Sequence, residues 1–180
     1  TEETLEVAIN WKKLKEGKES AVISIEGAGG KEQILVQADN SNYLKGLKGP
    51  IHLESNNTLS IEAANFATAV GSQAVEWVVI PNLGRTASAV TAFPVDMAVV
   101  EPGPGSPHLE YPVFLKDTGT MKVQVLLSPT LDFHNSGGRR VAISLDDQEP
   151  VIMNIHGESS SWMWQRWVGS NIIHSSTEIQ

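Results

Sequence analysis

The feature that most constrains this chain is a succession of short alternating stretches, each closed by Gly, Pro, Asn or Asp. Leu5-Glu6-Val7-Ala8-Ile9 alternates, as do residues 21–26, where Ile23 and Ile25 share a face, and residues 32–38. A period of two is that of a half-buried strand. Lys15-Glu16-Gly17-Lys18, the glycines at 27, 29 and 30, and Asp39-Asn40-Ser41-Asn42 mark the turns. Residues 1–50 are therefore expected to give three antiparallel strands in a meander. Three strands make a thin layer with one face unsealed, so this segment reads as part of a sandwich.

Residues 45–50 (KGLKGP) read as a linker. Beyond it, strands are predicted at 59–62, 75–80, 88–92, 109–115, 121–127, 140–145 and 151–155. Pro81-Asn82-Leu83-Gly84, the 101–107 run EPGPGSP and Asn135-Ser136-Gly137-Gly138 punctuate them. Thirty Val and Ile with 10 Thr reinforce the reading, because β-branched side chains pack well on a pleated surface. Many short strands with Gly/Pro turns favour a sandwich or jelly roll. Helix is expected to be minor, with 63–69 the one short suspicion. A long helix through 60–75 or 158–170 would mean that the period had been misread.

Charge and composition exclude several functions. Residues 1–90 carry 8 basic and 11 acidic side chains, and residues 91–180 carry 5 and 10. Neither half offers the basic surface that drives nucleic-acid affinity. The longest purely apolar runs, 77–80 and 97–100, are four residues, too short to span a membrane as helix. Zero Cys removes thiol nucleophiles, disulfides and thiolate zinc sites. The chain opens TEETLEV, so any targeting peptide is expected to have been removed.

No set of residues assembles a reaction, so no catalytic residue is assigned. The five His, at 52, 108, 134, 156 and 174, show no HExxH spacing and read as solvated loop residues. Asp146-Asp147 is a carboxylate pair, but neighbours on a strand point to opposite faces, and with Gln148-Glu149-Pro150 they read as a turn. Asp132, after Ser128-Pro129-Thr130-Leu131, is expected to bridge its loop through backbone hydrogen bonds, with ligand contact the alternative.

The most unusual composition is Ser161-Trp162-Met163-Trp164-Gln165-Arg166-Trp167. On a strand, Trp162 and Trp164 would share a face. Their rings could stack on sugars, or could fill the core or cover an edge of the sandwich. Trp77 is expected to be buried, and at least one of Trp162, Trp164 and Trp167 to be partly exposed. Arg166, with Arg139 or Arg140, could meet a carboxylate through a bidentate fork.

Several stretches together resemble the C-terminal region of glycoside hydrolase family 115, the xylan α-1,2-glucuronidase family. They are Ile80-Pro81-Asn82-Leu83-Gly84-Arg85-Thr86 with residues 88–95, Leu126 to Phe133 (LLSPTLDF), Val141 to Asp147 with Pro150, and Ser60-Ile61-Glu62-Ala63-Ala64-Asn65-Phe66. Val7-Ala8-Ile9-Asn10-Trp11 and Ile23-Ser24-Ile25-Glu26-Gly27 resemble the strands before the family's terminal sandwich. The resemblance implies an all-β fold: a partial, three-stranded Ig-like segment over 1–50, and a jelly-roll-like sandwich, similar to carbohydrate-binding modules, over 51–180. It also implies that the second unit stops short of its last strands and that the first begins before Thr1.

Family members release glucuronic acid side chains from xylan and related plant glycans, with catalytic carboxylates in an upstream barrel. No (β/α) alternation of ~250 residues is present here. The implied role is a non-catalytic accessory domain serving interdomain packing, dimerisation or substrate contact; the alternative is an autonomous carbohydrate-binding module. The implied partners are the barrel domain, a second subunit and plant polysaccharide, in a secreted or periplasmic setting. No cofactor is implied, save calcium: related modules carry Glu-Ala-Glu on their first strand, where this chain has Glu62-Ala63-Ala64. The second carboxylate is lost, which leaves Glu62 as a lone candidate ligand.

Overall fold

The computed structural model describes residues 6–27, 29–41, 46–84, 86–157 and 161–180. The chain is all-β and sandwich-like, as the sequence predicts, with one short helix. It separates into two compact units, Thr1–Gly49 and Pro50–Gln180.

In the first unit, β1 (Gly17–Gly27) and β2 (Gly30–Asn40) form one long antiparallel hairpin. Ala21 faces Val36 and Ile23 faces Ile34, and directly opposed side chains share a face. One side of the ribbon is thus an aliphatic stripe. The expected strand at 5–9 does not form over its described residues 6–9. The chain turns back on itself instead, with Trp11 N donating to Ile9 O at 3.2 Å and Lys13 N to Asn10 O at 3.0 Å. Alternation alone does not make a strand, which needs a neighbour for its backbone groups.

The second unit is built from two-stranded ladders. β3 (His52–Leu53) runs parallel to β8 (Val113–Phe114), and β4 (Thr68–Val70) antiparallel to β7 (His108–Glu110). β5 (Glu76–Ile80) pairs with β6 (Ala89–Phe93), and β10 (Arg140–Ile143) with β11 (Val151–Asn154). The longest ladder joins β9 (Met121–Leu127) to the last strand, β12 (Ile173–Ile179). Glu54, 9% exposed, braces β3 against the segment after β8, its Oε2 accepting from Lys116 N at 2.7 Å. The core comprises Val75, Met153, Trp167, Ile172, Ile173 and Ile179, with Ile173 only 1% exposed.

Four further expectations, all in the second unit, need correction, besides the single strand expected over 109–115, which divides into β7 and β8 with different partners. Residues 59–62 form no strand: Asn65 N donates to Glu62 O at 2.9 Å, closing a turn, and the strand begins at Thr68, where β7 supplies partners. Residues 63–69 are that turn and strand, not helix. Trp77 is half-buried rather than buried, because its Nε1 donates to Val70 O at 3.1 Å while Val75 takes the core position.

The fourth is the largest. The aromatic segment is not a strand but α1 (Ser161–Ser170). Its end explains it. Asn171 adopts φ 57°, Ile172 N donates to Trp167 O at 3.1 Å and Asn171 N to Val168 O at 3.3 Å. That is a Schellman termination with Asn in the left-handed position. Ile172 and Trp167, both buried, supply the apolar contact that accompanies it.

Candidate functional site

The best-organised surface of the second unit is the loop between β9 and β10, which carries Thr130-Leu131-Asp132-Phe133-His134 and ends at Gly138-Arg139. Asp132 is its clasp. Its Oδ2 accepts from Gly138 N at 2.8 Å and its Oδ1 from Ser136 Oγ at 3.0 Å. Gly138 supplies the close approach: at φ 106°, a Cβ there would sit 2.2 Å from Asn154 Oδ1. Asn154 in turn donates through Nδ2 to Gly137 O at 2.8 Å.

The Gly138 N–H, opposed by desolvation and aided by Ser136 and the His156 ring, holds the Asp132 carboxyl below the usual aspartate range. A carboxyl whose folded pKa is depressed stabilises the fold fully above its unfolded value, about 3.8. That contribution disappears as pH falls through the lower folded value. Urea midpoints should therefore drop below about pH 4 in the wild type, and less steeply in Asp132→Asn. Equal pH slopes for the two proteins would show that the clasp carries no charge-dependent stability.

His156 fastens the same loop from the other side, and here the solvated-loop expectation fails. Half-buried, it accepts from Arg139 N at Nδ1, 3.0 Å, and donates from Nε2 to Thr130 O at 2.8 Å. The backbone amide fixes Nδ1 as the acceptor and places the ring hydrogen on Nε2. The imidazole also lies 5.7 Å from the Trp167 ring.

The candidate residues from the sequence divide. Trp167 is 8% exposed and belongs to the core. Trp164 is half-buried and meets it edge-on, with centroids 6.5 Å apart at 83°. The Trp162 side chain lies outside the described residues. Arg166 is exposed on α1. Arg140 is committed to Glu101, Nη2 to Oε1 at 2.5 Å. Arg139 is held differently: its guanidinium stands 5.0 Å from the centroid of Phe133, and its Nη1 reaches Leu131 O at 3.4 Å. Glu62 accepts a hydrogen bond from the Thr86 hydroxyl. Among the described residues no three His, Asp or Glu side chains gather for a metal, so Glu62 brings one carboxylate where calcium takes six to eight oxygens.

Sequence reasoning missed Phe133 and His156 as members of one arrangement. Their separation along the chain hides it, since only the closure of the 128–139 loop onto the end of β11 brings them together. Asp146 and Asp147 stand apart from a site, in the β10–β11 turn, where Asp146 has φ 49° and Gln148 N donates to Leu145 O at 3.1 Å.

Residues 51–180 match the family model described as the glycosyl hydrolase family 115 C-terminal domain. No curated protein matches the chain.

Proposed function

We propose, because the chain belongs to the glycosyl hydrolase family 115 C-terminal domain family, that it is the non-catalytic accessory part of an α-glucuronidase acting on glucuronic acid-substituted plant glycans such as xylan. The family match over 51–180 is the observation that supports this reading. The state of Asp132, Glu62 and Glu54 agrees with it. Asp132 is engaged by Gly138 N and Ser136, Glu62 by Thr86, and Glu54 by the backbone of Lys116. A general acid or nucleophile must be free to meet a reacting atom.

The role assigned by this reading is packing against a catalytic barrel, pairing with a second subunit, or touching the glycan. Its setting would be secreted or periplasmic, as the family resemblance implies. Incubating the pure chain with glucuronoxylan or an aryl glucuronide should release no glucuronic acid. Turnover that disappeared in Asp132→Asn, or in Asp146→Asn with Asp147→Asn, would overturn the reading.

A further inference from the structure

We propose that Phe133 and Arg139 form a preorganised platform for a uronic acid residue, with the ring meeting the sugar and the guanidinium its carboxylate. The choice of a uronate rests on the accessory-domain reading; the platform rests on its own geometry. Phe133 is 50% exposed and Leu131 60%, two positions apart on one loop. An exposed ring of this kind suits the C–H face of a pyranose, and a planar fork suits a carboxylate bidentately.

Arg139 is the arginine left for that task. The described ion pairs engage Arg140 but not Arg139. Asp132, the acid of the same loop, has both oxygens occupied by Gly138 N and Ser136 Oγ, so it is drawn inward to the loop. What sets Arg139 apart from the exposed Arg166 is that its guanidinium is held, over the Phe133 ring and by Leu131 O.

The platform is also held before any ligand arrives. His156 fixes the Arg139 backbone at 3.0 Å, and the Phe133 ring fixes its guanidinium at 5.0 Å. The His134 ring lies beside Phe133, centroids 4.5 Å apart and tilted by 44°. Ordering costs paid on folding are not paid again on binding. Arg166 has no such bracing described on its exposed helix face, and Trp167 is withdrawn into the core.

The test titrates the full chain with a xylo-oligosaccharide carrying one glucuronic acid and with the same oligosaccharide unsubstituted. Calorimetry gives affinity, and the NMR signals of Phe133 and His134 give location. The acidic oligosaccharide should bind about tenfold or more tightly than the neutral one, the size of one charge-assisted hydrogen-bonded contact. Phe133→Ala and Arg139→Lys should each lose about that factor, the lysine keeping charge but not the fork. Arg140→Ala and Arg166→Ala should bind as wild type. Near-UV circular dichroism of Arg139→Lys matching wild type keeps a folding defect out of the result. No binding, or binding indifferent to both Phe133→Ala and Arg139→Lys, overturns the platform while leaving the accessory-domain reading intact. Hydrolysis of the oligosaccharide by the chain itself would instead sink that reading.

Discussion

Gly138→Ala should lower the thermal midpoint by roughly 10 °C, the equivalent of about 2–4 kcal/mol in a unit of this size. Two costs add. The backbone at φ 106° is a region that residues with a Cβ rarely adopt. The new methyl would also meet three atoms of the Asn154 side chain, at 2.2, 2.8 and 2.8 Å. Asn154 has little freedom to retreat. Its Nδ2 is bonded to Gly137 O and its Oδ1 accepts from His156 N at 3.0 Å. Gly137→Ala is the matched control. Gly137 is also left-handed, at φ 82°, but nothing lies within 4 Å of its added Cβ. It should cost only the conformational part, about 1 kcal/mol. Differential scanning calorimetry of the two variants separates strain from collision. Equal midpoints would show that Asn154 swings clear and that the loop is not clasped as described.

Trp167→Ala should cost about 3–5 kcal/mol, the range for removing a large aromatic from a packed interior. Trp167 is 8% exposed, lies tilted against His156 at 5.7 Å, meets Trp164 edge-on at 6.5 Å, and provides the carbonyl that ends α1 on Ile172. Its loss would release the helix, the imidazole behind Arg139, and part of the apolar cluster on β12. Trp164→Ala, half-buried, should cost about 1–2 kcal/mol on the same area reasoning. Urea denaturation followed by far-UV circular dichroism gives both values. A Trp167→Ala midpoint within error of wild type would mean that α1 is not docked through this ring. The contrast also decides what the aromatic segment is for. A sugar-binding tryptophan would weaken ligand affinity on removal with little loss of stability, whereas Trp167 should do the reverse.

The fold was legible wherever a strand's own alternation coincided with a partner. Residues 121–127 are an example: Met-Lys-Val-Gln-Val-Leu-Leu alternates, and the strand Met121–Leu127 has those limits. The hairpin over Gly17–Gly27 and Gly30–Asn40 was similarly plain, because its glycines and its aliphatic positions agree. Where the partner was distant, the local pattern misled. Residues 6–9 alternate but pair with nothing described, and Thr68–Val70, with little alternation to show, is a strand because His108–Glu110 lies beside it. The helix had a readable signal that the tryptophan count obscured. Trp164 and Trp167 are three apart, and Gly169-Ser170-Asn171 is a stop.

The candidate site was legible as chemistry and not as place. Arg139, Arg140 and Arg166 are equal in the sequence as carboxylate partners. Position separates them: one is paired with Glu101, one is on an exposed helix face, and one is braced between Phe133 and His156. The chain's own residues determined an all-β architecture, its turns, its acidic surface and its family, because these follow from local periodicity, Gly and Asn conformations, and composition. The tertiary structure alone decided which tryptophan is core, which arginine is braced on an aromatic ring and which histidine clasps a loop. Those properties depend on contacts between residues far apart in sequence, such as Thr130, Arg139, His156 and Trp167, and no local pattern encodes a contact across that distance.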